Sequence, residues 1–114
     1  MFNLREEKKG AAIVYFSENS RMTGKESERF RHWCDDKEIS KFSCVVVDCE
    51  NLEFIDSMGI ASLIRLYRVI MESGGKLLIT RLSQEIKEVL ATLRLDSLLA
   101  IKSDDPSSLI MDNC

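Results

Sequence analysis

The turn Asp48-Cys49-Glu50-Asn51-Leu52-Glu53-Phe54-Ile55-Asp56-Ser57-Met58-Gly59-Ile60 holds the residues whose types and spacing could do chemistry. A hydroxyl, Ser57, stands beside a carboxylate, Asp56, at the opening of an apolar run with helical period. From residue types alone Ser57 reads as an N-cap, the commonest use of serine there, with Asp56 as a second capping group. A serine nucleophile at a strand-to-helix turn needs Gly-x-Ser-x-Gly, but position 55 is Ile. The one histidine, His32, would have to supply the base from another helix, and beside Trp33 it reads as ordinary helix surface and core. A hydrolase is thus a weak rival, and the chain is read as a non-enzyme.

No cofactor or metal is expected. His32, Cys34 and Cys49 are metal-ligand types, but there is no C-x-x-C pair and no second histidine to complete a tetrahedral set. Cys44 and Cys49 flank one strand five positions apart, so alternation sends them to opposite faces, where they cannot bridge each other. They read as buried thiols, in keeping with a reducing compartment.

These residues need elements to position them. Ala11 to Phe16, Ser43 to Cys49 and Lys76 to Thr80 are apolar runs, and Val45-Val46-Val47, apolar on consecutive positions, marks a strand covered on both faces. Leu98 to Ile101 is a shorter run, and Phe2 to Lys9 adds an edge strand turned back at Gly10. From Ser57 to Ser73, Ile60, Leu63, Ile64, Tyr67, Ile70 and Met71 share one helical face, closed by Gly74-Gly75. Ser83 to Leu93 repeats the pattern with Ile86, Val89, Leu90 and Leu93 and with Ser83 as N-cap. Gly24 to Asp36 is a more polar helix resting on Phe30 and Trp33, and Pro106 to Asn113 opens on its proline as a short fourth. This alternation predicts an α/β fold, a mixed, mostly parallel sheet of four to five strands with about four helices, and a single domain over residues 1–114.

The 16 basic and 19 acidic side chains are scattered without a basic stripe, which argues against direct contact with nucleic acid. No apolar run approaches the roughly 20 residues that span a bilayer, and the segment Met1 to Lys9 lacks the apolar stretch of a signal peptide. A cytoplasmic location without membrane insertion is expected.

The order buried strand, short polar turn, apolar pair, then Asp56-Ser57-Met58-Gly59 opening a helix resembles the STAS family, that of sulfate transporter domains and anti-sigma factor antagonists. There the stretch typically ends in Asp-Ser-Ser-Gly-Leu, and the helix runs to a Gly-Gly and the next strand. Similarity continues at Ile13-Val14-Tyr15-Phe16 and at Leu93-Arg94-Leu95-Asp96-Ser97-Leu98-Leu99, close to the family's Gly-Leu-Asp-x-Leu-Phe, and covers nearly all the chain after residue 10. The resemblance implies the STAS fold and a protein-binding regulator. The partner it implies is an anti-sigma factor, a serine kinase, bound only while Ser57 is unphosphorylated and released when that kinase phosphorylates it. An anion at a helix N-terminus is compatible with this role, Asp56 could orient the hydroxyl, and Gly59 would leave the helix start open to a partner.

The implied binding surface comprises Asp56, Ser57, Met58 and Gly59 with Ser20, Arg21 and Thr23 of the preceding loop. Four positions depart from the family pattern: Ser17 and Ser20 stand where Gly and Asp are usual, Met58 replaces the middle serine, and Arg94 replaces a glycine. The alternative is a STAS scaffold or a subunit of a transport ATPase or stress-signalling complex, with no phosphorylation cycle. Homodimerisation is left open.

Overall fold

Three consecutive valines are all buried because the strand that carries them lies in the middle of the sheet with helices on both sides. The computed structural model describes residues 2–114. Its main sheet has the order β1-β2-β4-β6-β7, with β1 Phe2–Glu6, β2 Ala11–Phe16, β4 Cys44–Asp48, β6 Lys76–Thr80 and β7 Ala100–Lys102. Strand β1 runs antiparallel to β2 on one edge, and the other neighbours are parallel. A smaller parallel pair joins β3, Ser20–Met22, to β5, Leu52–Ile55. The helices are α1 Gly24–Asp36, α2 Ser57–Glu72, α3 Gln84–Thr92 and α4 Pro106–Asn113. Among the described residues no helix is long and apolar enough to cross a membrane.

Alternation along the strands divides the core. Ala12, Val14, Phe16, Val45, Val47, Leu77 and Ile79 meet Phe30 and Cys34 of α1, Leu63, Leu66 and Ile70 of α2, and Ile86 and Leu90 of α3. Ala11, Ile13, Cys44, Val46 and Leu78 face the other way, onto Leu109 and Ile110 of α4. An aromatic group closes the β1 edge, where Phe2 packs edge-on to Phe30 and tilted against Trp33, each at 5.3 Å between centroids.

Several inner-face assignments change. Val89, Leu93 and Met71 are exposed, while Leu66 is buried in the place the periodicity gave to its neighbours. Helices α2 and α3 are covered on a single flank, so the apolar stripe is narrower than the sequence pattern suggests. Cys44 and Cys49 do face opposite ways, but Cys44 is no free thiol: it forms a disulfide with Cys114 across a sequence separation of 70. Helix α4 carries Cys114 back over the start of β4, a tertiary approach that no local spacing reveals.

Helix ends follow the expected chemistry. Gly74, at φ +80°, donates its N–H to the Met71 carbonyl while Gly75 donates to Ile70, a Schellman closure of α2. Ser83 caps α3, accepting from Ile86 N at 3.2 Å. Just past α3, Arg94 stands at φ 60°, the left-handed conformation in which glycine is unstrained. Arg94→Gly should therefore stabilise the fold by about 0.5–1 kcal/mol, the relief of left-handed strain exceeding the added freedom of the unfolded chain. Equilibrium denaturation checks this as a rise in midpoint at unchanged slope.

Candidate functional site

The site is built where the small sheet hands the chain to α2. Strand β5 ends at Ile55, and Asp56 takes the N-cap position in extended conformation. Its backbone N–H donates to the Met22 carbonyl at 3.1 Å, tying it to the end of β3. Its carboxylate reaches two helices at once. Oδ1 accepts from Gly59 N of α2 at 3.0 Å, and Oδ2 accepts from Gly24 N, the first residue of α1, at 3.1 Å. Two N–H groups that would lack partners at separate helix starts thus share one anion, which sits at the positive end of both dipoles. The Gly59 N–H above all holds the carboxyl below the usual carboxylate range against the opposing effect of burial, with a further contribution from the Gly24 N–H.

The cap is therefore Asp56, and Ser57 is the first residue inside α2, exposed and not part of the capping. This corrects the N-cap reading of Ser57. Met58 beside it is 54% exposed, whereas Ile60 turns into the core. Gly59 has a different task from the one expected. It is buried, and a Cβ there would collide with the Met22 carbonyl oxygen and with Ile55 Cγ1, so its missing side chain lets α2 lie against β3 and does not open the helix start to a partner.

The preceding loop is divided in the same way. Ser20 is buried, and its hydroxyl donates to the Ser17 carbonyl at 2.6 Å, so it shapes the loop from inside and does not belong to the exposed surface. Arg21 is exposed, and Thr23, half-buried, precedes α1 without a side-chain capping bond. Strand pairing sets Arg21 opposite Phe54, and the guanidinium lies 4.7 Å from the ring centroid. Phe54, 44% exposed, joins the surface although the sequence reading treated it only as half of an apolar pair. Alternation along β5 could not have found it, because Leu52 and Ile55, both buried, are three residues apart and the pairing with β3 shifts register between Ser20 and Arg21. Exposed Met58, Phe54 and Arg21 thus lie on the segments that flank Ser57.

A second polar cluster lies at the carboxyl ends of the central strands. Arg81 grips Asp48 with both arms of its fork, Nε to Oδ1 at 3.0 Å and Nη2 to Oδ2 at 2.6 Å, and holds Glu50 at 3.0 Å with Nη1. Asp48 is 9% exposed, so the fork neutralises a carboxylate at the sheet's end. This is positioning chemistry: it anchors the turn that leads into β5.

Residues 5–105 match the family described as STAS domain. The fold is similar to that of an anti-sigma-factor antagonist (STAS) domain protein from Planctomyces limnophilus, at 21% identity and TM-score 0.80 over 96% of this chain and 95% of that one. It is similar also to the phosphorylated form of the Bacillus cell fate determinant SpoIIAA, at 14% identity and TM-score 0.76 over 98% of each chain. The murine anion transporter Slc26a9 carries a like unit, at 17% identity and TM-score 0.74 over 93% of this chain and 18% of that one. No curated protein matches the chain in sequence.

Two outcomes follow from this geometry. Gly59→Ala should destabilise the domain by about 1–3 kcal/mol, because the clash is with backbone and cannot be relieved by a rotamer change; chemical denaturation measures it. Asp56→Asn keeps one oxygen for Gly59 and loses the charge and the bond to Gly24. A carboxyl held low in the folded state adds stability above its unfolded pKa of about 4 and loses it as pH falls through the folded value. The variant should melt below wild type at pH 7, and the gap should close in strong acid, as thermal melts across pH would record.

Proposed function

The chain belongs to the STAS domain family, and from that premise we propose that it is an anti-sigma factor antagonist, a non-enzymatic regulator that binds a serine-kinase anti-sigma factor while Ser57 is unphosphorylated. The observation that carries this reading is the division of labour at the α2 start. Asp56 does the capping, and Ser57, the next residue, is exposed with its hydroxyl free of that duty. A kinase can take this residue without dismantling the helix. The binding face is Asp56, Ser57 and Met58 with Phe54, Arg21 and the exposed edge of Thr23. Met58 and Phe54 supply apolar area, and Arg21 supplies a cation already oriented by the aromatic ring.

The energetics of the switch follow from placement. Phosphate on Ser57 adds roughly −1.5 to −2 charges at neutral pH. In the free domain two effects oppose each other: the α2 dipole favours an anion, by about 0.3–1 kcal/mol, and the neighbouring Asp56 carboxylate disfavours a second one. Both act at a solvent-exposed position, so the net change in stability is small. In a complex the same charge is desolvated against a surface shaped for a hydroxyl, which costs several kcal/mol.

The rival is a STAS unit that acts as a fixed subunit of a transport assembly or signalling scaffold, with no phosphorylation cycle. The likeness to the domain carried by an anion transporter favours it, as does the buried Ser20 at the loop position where the family often has Asp.

Ser57→Asp and the phosphorylated protein should both melt close to wild type and bind the cognate kinase at least about a hundredfold more weakly, while Ser57→Ala binds and takes no phosphate. Titration calorimetry with the kinase, and peptide mass mapping after incubation with ATP, check both halves. Phosphate on Ser17 or Thr23 with Ser57 untouched would move the switch off α2. Tight binding with no phosphate anywhere would favour the scaffold.

A further inference from the structure

Helix α4 is a short element of the fold and the one that is covalently pinned. It has eight residues, too few to be helical without tertiary support, and it meets the sheet chiefly through Leu109 and Ile110. Those two side chains cover Ala11, Ile13, Val46 and Leu78, the apolar strip on the face opposite α1, α2 and α3. Tethers stand at both ends. At the start, the Thr80 hydroxyl donates to the Asp104 carbonyl, and Asp105 caps the helix by accepting from Ser108 N and Ser108 Oγ. At the end, Lys76 Nζ donates to the Asn113 carbonyl at 2.7 Å, and Cys114 is bonded to Cys44, the first residue of β4, with Cα atoms 5.9 Å apart.

The two sulfurs of that bond are not equivalent. Cys44 is 3% exposed beneath α4, whereas Cys114 is only half-buried. The remaining cysteines, Cys34 and Cys49, are buried in the other core layer, on the far side of the sheet. Burial pushes the Cys34 thiol up to about 12 and raises Cys49 as well, so neither offers a thiolate at neutral pH.

We propose that the Cys44–Cys114 disulfide is a thiol-exchange site at which a small-molecule thiol of the glutathione class attacks Cys114 and thereby releases α4 from the second face of the sheet. The incoming thiolate bonds to Cys114 Sγ, the S–S bond breaks, and Cys44 leaves as a thiolate that takes a proton from water. A second thiol then attacks the mixed disulfide, freeing Cys114 and leaving the two small thiols oxidised to their own disulfide, so that two electrons have passed to the protein. In reducing surroundings a disulfide of this kind is transient and regulatory. The site is separate from Ser57, because Cys44 opens β4 on the α4 face whereas Asp56 and Ser57 follow the far end of that strand and lead into α2 on the other. It does not depend on the reading of the α2 start.

The test uses the full chain in buffers of graded reduced and oxidised glutathione, with peptide mass mapping under non-reducing conditions and hydrogen exchange read by mass spectrometry. The expected result is a Cys44–Cys114 peptide in oxidising buffers, a glutathione adduct on Cys114 at intermediate ratios, and both thiols free in reducing ones. Opening the bond should speed exchange in α4 by about tenfold or more and leave the first turn of α2 unchanged. Cys114→Ser and Cys44→Ala should each show the fast α4 exchange in every buffer, with wild-type far-ultraviolet circular dichroism confirming that the sheet still folds. The proposal is overturned if the linked peptide forms in no buffer, if glutathione settles on Cys34, Cys49 or Cys44 in place of Cys114, or if α4 exchanges at one rate in both redox states.

Discussion

One carboxylate governs how the two helices next to the small sheet begin. Asp56 accepts from Gly59 at the start of α2 and from Gly24 at the start of α1, while its own N–H is given to Met22. An anion shared between two helix N-termini satisfies donors that would otherwise need separate caps, and it ties the two helix starts to one short side chain. Everything near Ser57 inherits its position from this arrangement. Asp56 turns its carboxylate to the two glycine N–H groups, and the next residue, Ser57, is exposed on the first turn of α2.

The close packing of α2 on β3 is the second condition. It requires Gly59, since any side chain there would meet the Met22 carbonyl and Ile55. Glycine and aspartate in the Asp-Ser-x-Gly run therefore have structural duties, and the two positions between them, Ser57 and Met58, are exposed. A motif that reads as four functional residues separates into two that hold the helix and two that it displays. The same separation applies to the loop before α1, where Ser20 braces the turn from within and Arg21 is carried outward onto Phe54.

The main sheet is unequally clothed. Three helices cover one face, and the short α4 covers apolar residues of the other, held also by tethers at its ends. Local opening starts where buried apolar contact is thinnest. Ser57, at the start of α2, and the Cys44–Cys114 disulfide lie on different faces of the main sheet.

What the sequence by itself determined was whatever depends on neighbours along the chain. Consecutive valines at 45 to 47, the Gly74-Gly75 closure, the Ser83 cap and the Pro106 opening each state a local rule, and β4, the end of α2, α3 and α4 stand on the residues those rules mark. The Asp-Ser-x-Gly helix start was legible for the same reason. The tertiary structure decided which oxygen caps, since Asp56 can bridge to Gly24, 32 positions away in sequence, only after the chain between them has folded back. It decided too that Ser20 is inside, that Phe54 is outside, that β3 and β5 pair, and that Cys114 reaches Cys44. Each of these rests on a contact between segments distant in sequence, and periodicity along a chain carries no information about which distant segment will arrive.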